Sequence, residues 1–236
     1  MTVDSKSRDQ TQQTVSMLEK HHGDGNEFAK LMEETFEGRF NEEFWKLWDR
    51  QILPGLPAEP LIVDLGTGPG TFIKTLASKY KNARVAGIEC APYMLSAVGE
   101  LPVNAEIIEA DLQQPHLPFD NNSIDAAITS VVVHEMIQPV RMFREVHRIL
   151  KPSAKFYIYD WVRAPLQSYL KSSELNPFSD SMSQEDLENL FTHFIEHNRF
   201  SLDDLVFMLT STGFDIVESG YRNEKQHAWI LATKPD

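Results

Sequence analysis

Apolar positions along this chain change their period several times, and each change marks an element. Leu61-Ile62-Val63 is a short continuous apolar run, as expected of a strand covered on both faces. Arg84 to Glu89, Val103 to Glu109, Asp125 to Ser130 and Lys155 to Asp160 read as further strands. Phe214 to Ser219 and His227 to Thr233 follow, and this last pair is expected to be antiparallel. Helical spacing fills the intervals. Thr71 to Tyr80 reads as the first crossover helix, and Cys90-Ala91-Pro92-Tyr93-Met94-Leu95 opens the next. Pro139 to Leu150 carries a stripe of Met142, Phe143, Val146, Ile149 and Leu150. Alternating strands and helices predict an α/β fold: a seven-stranded, mostly parallel sheet with helices on both faces.

Two stretches lie outside this alternation. From Phe28 to Ile52 the pattern is helical, with Phe28, Leu31, Met32, Phe36, Phe40, Phe44, Leu47 and Trp48, and Gly38 as a break. Pro54, Pro57 and Pro60 then close the segment. Residues 1–26 are polar, and His21-His22-Gly23-Asp24-Gly25 reads as a mobile linker, with a metal role for the two adjacent histidines as the lesser alternative. Residues 161–200 interrupt the core. There Ser183-Gln184-Glu185-Asp186 resembles a capping box, and Leu187, Leu190, Phe191, Phe194 and Ile195 share one helical face. Ser201 starts another helix that ends at Gly213. The expected organisation is an N-terminal helical attachment (1–58), a ligand-binding core (59–160), a helical cap inserted after the fifth strand (161–200), and the C-terminal part of the sheet (201–236).

Composition narrows the function. At 236 residues and 42% apolar content, one large α/β unit with an attachment can bury a sizeable core. The net charge of −13, with no basic block, argues against a nucleic-acid partner. Cys90 is the single cysteine, so no internal disulfide forms, which fits a reducing, cytoplasmic setting. Residues 1–20 lack the apolar core of a signal peptide, and no run of about 18 apolar residues predicts a membrane span. The oligomeric state is not legible.

The candidate chemistry centres on Asp64-Leu65-Gly66-Thr67-Gly68-Pro69-Gly70-Thr71, at the end of the first strand. Glycines let a ligand lie directly against the backbone, and Pro69 is expected to hold Gly68 extended. The nicotinamide fingerprint needs Gly or Ala at position 71, where Thr71 stands. Glu89 ends the second strand, at the distance a crossover helix and a returning strand require, and its carboxylate can accept two hydrogen bonds from a ribose.

The glycine turn resembles motif I of the class I S-adenosylmethionine (SAM)-dependent methyltransferases. Leu117-Pro118-Phe119-Asp120-Asn121-Asn122-Ser123-Ile124-Asp125 is similar to the segment leading into that family's fourth strand, and Glu145-Val146-His147-Arg148-Ile149-Leu150-Lys151-Pro152 to its Glu-x-x-Arg-x-Leu-Lys-Pro ending. Ser153 and Ala154 stand where the family usually has two glycines. The resemblance covers 61–160 by motif and 201–234 by pattern. It implies a Rossmann-like sheet and a SAM site, with S-adenosylhomocysteine as product. In that site Asp64, Gly66, Thr67, Gly68 and Gly70 form the turn, Glu89 holds the ribose, and Cys90 and Met94 touch adenosine. Asp111, with Leu112 beside it, accepts the adenine amino group, and Ser130 ends the fourth strand. The implied reaction is in-line methyl transfer to a small-molecule acceptor.

Candidates for catalysis and substrate binding lie outside those motifs. His134, just past the fourth strand, reads equally as a general base or as a capping histidine. Asp160, Trp161 and Arg163 follow the fifth strand and read as pocket residues or as a surface ion pair. His193-Phe194-Ile195-Glu196-His197 matches the zincin-like H-x-x-E-H spacing, but no third ligand is visible, so no metal is expected. His193, His197 and Arg199 then read as substrate-facing or as ordinary helix-edge residues. One cysteine does not serve multi-cysteine arsenic chemistry. Two other readings remain: a SAM-binding regulatory or scaffold protein without turnover, and an NAD-dependent oxidoreductase.

Overall fold

The computed structural model describes residues 5–113, 116–172, 176–179 and 181–236. Its centre is a seven-stranded sheet of β1 (Leu61–Leu65), β2 (Arg84–Glu89), β3 (Ala105–Glu109), β4 (Ile124–Ser130), β5 (Leu150–Trp161), β6 (Asp215–Arg222) and β7 (His227–Thr233). The order is β3-β2-β1-β4-β5-β7-β6. Strands β1 to β5 pair in parallel, whereas β7 runs antiparallel between β5 and β6. The order turns at β1, which pairs with β2 on one side and β4 on the other. Open α/β sheets bind ligands outside the carboxyl ends of the strands at such a switch point.

The pleat distributes side chains to two cores. Val63 and Leu65 face α7 (Val140–Ile149) and α10 (Leu202–Ser211), joining Phe143, Val146, Leu205 and Leu209. Ile62, with Tyr157 and Tyr159 of β5, faces the opposite layer, where Phe72, Ile73 and Leu76 of α5 (Thr71–Lys79) lie. The short helix α6 (Pro92–Ala97) follows β2.

The motif residues at 145–151 act as staples. Arg148 binds both oxygens of Glu145 and the carbonyls of Leu117 and Phe119. Glu145 accepts from the Leu117 amide, and Lys151 pairs with Asp125 at 2.7 Å. Where the family usually carries glycine, Ser153 takes a left-handed φ of 63°, so β5 begins at Leu150 and passes through this kink. A serine there is strained but tolerated.

The N-terminal attachment contains α1 (Ser5–His22), α2 (Gly25–Glu34), α3 (Phe36–Arg39) and α4 (Glu42–Leu47), the last continuing into a π-turn over Trp48–Ile52. The later part of its apolar stripe is packing, whereas Phe28, Phe36 and Phe40 also reach the cavity described below. Phe44 and Trp48 are fully buried, and Phe40 stacks on Phe72 at 4.1 Å. The cap holds α8 (Leu166–Ser172) and α9 (Gln184–His197), the latter capped by the Ser183 hydroxyl, which accepts from the Asp186 amide.

Several local expectations change. The stretch His21–Gly25 is an ordered corner: α1 runs through His22, Gly23 turns at φ +66°, and Asp24 caps α2 through the amides of Asn26 and Glu27. Its anchor is thin, chiefly Val15 and Leu18 buried beneath polar neighbours, so no apolar stripe advertises the helix. Strand β3 starts at Ala105, because Val103 is fully exposed. Gly68 is left-handed at φ 57°, not extended; the three-glycine turn overrides the usual effect of Pro69 on its predecessor.

Candidate functional site

Backbone shape comes first. After β1 the chain turns through Gly66, Gly68 and Gly70, at φ of 74°, 57° and 77°. A Cβ on Gly66 would stand 2.4 Å from Val132 Cγ2, so the turn can approach the β4 loop only as glycine. Gly70 starts α5. Opposite, Val131 takes a φ of 54°, strained for a β-branched residue, as the chain leaves β4.

Between these turns lies a cavity with about 920 Å³ of empty space including its mouth. Asp64, Gly66, Thr67, Gly68, Glu89, Cys90, Met94, Asp111, Leu112 and Ser130 all line it. Of the residues the resemblance assigned to the cofactor, Gly70 alone falls outside the lining and serves the turn. The cavity's far wall comes from the attachment, whose aromatics the sequence offered as packing or as a lid: Phe28 and Met32 of α2 line it, joined by Thr14, Met17, Leu18 and His22 of α1 and Arg39 of α3, which the sequence did not single out for a ligand. Arg39, between Phe36 and Phe40, was visible only as one cation in an aromatic stretch.

The acids are held in place. Glu89 accepts from the amides of Gly68, Cys90 and Ala91 at 2.8–2.9 Å. Burial nevertheless raises its pKa. Asp111 accepts from the Gln113 amide and from the Thr14 hydroxyl, both at 2.8 Å. Asp64 is buried to the point that its carboxyl is pushed up to about 7, with the Arg39 guanidinium acting against the shift. Burial in turn lowers Arg39. The lining thus sets the carboxyl groups of Asp64, Glu89, Asp111 and Glu135 against the Arg39 guanidinium and the His22 imidazole. Such a cavity suits a cationic ligand that carries its own carboxylate. Burial raises the Cys90 thiol, leaving it a small neutral filler.

Ser130 gives an independent test of fit. Its hydroxyl is buried on the cavity wall and has no hydrogen-bond partner among the described residues. A bound molecule with a polar edge completes it. A ribose acceptor in Glu89, a thioether in Met94 and a second carboxylate in Asp111 are the groups an adenosine-bearing sulfonium requires.

None of the candidates for catalysis or substrate binding lines this cavity; they form a second cluster behind it. Asp160, fully buried, accepts from the amides of Val132, Val133 and Trp161 at 2.6–3.0 Å and holds His134 Nδ1 at 2.6 Å. Its capacity is spent on shaping the loop after β4, so it does not face a substrate. Burial works against protonating His134, but Asp160 outweighs it and raises the imidazole. His197 stacks on His134 at 4.8 Å and on His193 at 3.9 Å, and Trp161 meets it edge-on. Burial and the neighbouring imidazoles depress His197 to about 2 and lower His193. His193 also meets the Tyr169 hydroxyl. Arg163 is exposed and spans to the Arg199 carbonyl, and Arg199 reaches the Glu135 carbonyl at 3.3 Å. The sequence did not point to His22–Glu135, a 2.6 Å pair on the cavity wall with Tyr93 beside His22.

Comparison with known proteins agrees with this geometry. Residues 63–158 match a methyltransferase domain family. The chain is 29% identical over 167 residues to an arsenite methyltransferase of Halobacterium salinarum, covering 69% of this chain and 39% of that protein. It is 30% identical over 102 residues to a demethylmenaquinone methyltransferase of Chlorobaculum tepidum, covering 43% and 41% respectively. This chain therefore spans about two fifths of either relative. A SAM-dependent methyltransferase structure from Aquifex aeolicus superposes with a TM-score of 0.61 at 16% identity, covering 88% of this chain and 97% of that one. No described helix is long and apolar enough to cross a membrane. The domain match lies on the strands that carry the glycine turn, Glu89 and Asp111, and together with the fold and the methyltransferase relatives it supports a class I SAM-dependent methyltransferase with S-adenosylmethionine as cofactor.

Proposed function

We propose that this chain binds SAM in the cavity at the β1–β4 switch point and methylates a small acceptor admitted beneath the N-terminal attachment. The observation that carries this reading is the convergence of Glu89, Asp111, Met94 and the unpartnered Ser130 hydroxyl on one cavity beside the glycine turn. SAM supplies a methyl group on a cationic sulfur. Glu89 holds the ribose hydroxyls, Asp111 the adenine amino group, and Arg39 the methionine carboxylate. Met17, Phe28 and Met32 form an apolar wall, which favours an acceptor with an apolar body. Alignment within such an enclosure supplies about 7–11 kcal/mol of the barrier reduction.

The proton acceptor in this proposal is the His22–Glu135 pair and not His134. The pair faces the cavity, whereas the His134 ring is enclosed by Asp160 and His197. A thermal-shift series with SAM, S-adenosylhomocysteine and NAD tests the cofactor. At one hundred times its dissociation constant a ligand stabilises by about 2.7 kcal/mol, roughly 5–10 °C for a chain this long. A shift with SAM or its product is expected; a shift with NAD alone points to an oxidoreductase. Incubation with SAM and a panel of small apolar acceptors then tests turnover. SAM binding without release of S-adenosylhomocysteine across that panel favours a regulatory protein.

A further inference from the structure

The histidine cluster behind the cavity joins three parts of the chain that are far apart in sequence. His21 ends α1, His134 lies in the 3-10 turn Val133–Glu135 after β4, and His197 ends α9. One ring nitrogen from each lies within 4.8 Å of the others. Nδ1 is engaged in every case. His21 Nδ1 meets Glu196 Oε2 at 2.7 Å, His134 Nδ1 meets Asp160 Oδ1 at 2.6 Å, and His197 Nδ1 meets the His193 carbonyl at 2.9 Å. Each partner oxygen is an acceptor, so each Nδ1 donates, and Nε2 is the atom left with a lone pair. Three imidazoles oriented this way offer no proton to one another. The same outer partners, a carboxylate or a carbonyl on the far nitrogen, fix the tautomer of histidines that bind metal.

We infer that His21, His134 and His197 form a binding site for a first-row divalent transition cation, with Glu135 as the adjacent oxygen ligand. Imidazole ligands select zinc, iron, cobalt or nickel over calcium and magnesium, which take oxygen. Bonds of about 2.0–2.1 Å place tetrahedral ligand atoms about 3.4 Å apart, so the rings draw together by no more than about 1.5 Å. Glu135 Oε1 stands 3.7 Å from His134 Nε2, and Glu135 also groups with His21 and His22 within 4.8 Å. Because Glu135 and His22 line the cavity, the cation sits at its border and ties α1 and α9 to the core loop. The sequence offered a metal role for His21 and His22 only as the lesser alternative to a mobile surface, and it showed no third ligand for the H-x-x-E-H pair. Here that motif is used differently: His193 turns to Tyr169, Glu196 orients His21, and the third imidazole comes from the N-terminal helix.

The site does not depend on which cofactor fills the cavity, and its test uses none. The full untagged chain, freed of metal with EDTA and dialysed, is titrated with zinc sulfate against a chromophoric chelator. One equivalent per chain at micromolar affinity or tighter is expected. Affinity falls at least tenfold in His21→Gln and in His197→Gln, and stays within twofold in His193→Gln. Absence of stoichiometric binding, or unchanged affinity in the His21→Gln/His197→Gln double variant, overturns the inference. Should a variant fail to fold by circular dichroism, cobalt chloride added to the unmodified chain decides. An intense visible band of four- or five-coordinate cobalt supports the site, and the weak spectrum of hydrated cobalt refutes it.

Discussion

Thr14 donates a buried 2.8 Å hydrogen bond to Asp111 Oδ2, joining the N-terminal helix to the acid at the end of β3 across 97 positions of sequence. The residue that the resemblance assigns to adenine is therefore also the latch for α1. Thr14→Val removes the latch while keeping the side chain's shape. A hydrogen bond to a charged group contributes about 1.5–3 kcal/mol, so opening of α1 should become at least tenfold more frequent. Limited proteolysis at residues 20–26 measures this, since Gly23 and its neighbours form the corner between α1 and α2. Cleavage at the parent rate would mean that the apolar contacts of Val15 and Leu18 hold the helix by themselves.

Arg39 lies on the cavity wall beside Asp64, and its Nε atom is buried without a partner among the described residues. Arg39→Ala is expected to weaken SAM by about 1.5–3 kcal/mol, roughly tenfold to more than a hundredfold. Adenosine, which has no carboxylate, should lose little. Calorimetric titration with both ligands separates the two cases; an equal loss for both would place Arg39 outside the carboxylate subsite.

Asp64 should make stability fall as pH rises. Its folded pKa of about 7 lies above the ordinary aspartate value of 3.8, so the native state holds the proton longer than the unfolded chain does. The protonated carboxyl is accommodated fully below about pH 4, and the cost of ionising it grows through pH 7. Asp64→Asn, which carries no such cost, should roughly match the parent near pH 4 and exceed it at pH 8 by on the order of 4 kcal/mol. Urea midpoints across that range provide the measurement. A difference that does not vary with pH would refute the shifted titration.

Glu89 serves the fold in addition to its proposed ribose role. Removing its carboxylate leaves the Gly68, Cys90 and Ala91 amides without their acceptor. Unsatisfied buried donors cost about 1–3 kcal/mol, and a chain of this length loses roughly 2–4 °C per kcal/mol. Glu89→Ala should therefore melt roughly 2–10 °C lower and also bind SAM at least tenfold more weakly. Glu89→Gln retains an acceptor oxygen and should recover most of the melting temperature but less of the affinity. A variant with normal melting and normal affinity would leave Glu89 with neither role.

The sheet was legible because its information is local. Apolar runs predicted β2 and β7 at their observed bounds, and the glycine turn with Glu89 marked one wall of the cavity. The staples of Glu145, Arg148 and Lys151 were legible as a motif, though their purpose, clamping the segment before β4, was not.

What local pattern carries is strand period, helix stripe and backbone that only glycine can follow; from these the sequence by itself determined the fold class and the cofactor side of the cavity. Tertiary structure alone decided the other side. Arg39, Thr14 and the His22–Glu135 pair sit in polar or aromatic stretches whose periodicity says nothing about a ligand. His21 and Glu196 meet across 175 positions, and His134 and His197 come together from a strand end and a helix end. Such contacts arise when separate buried apolar anchors, Val15 and Leu18 on α1 and Leu190 on α9, dock their helices against the rest of the chain. The polar residues they carry converge as a consequence of that docking, and no spacing along the chain records it.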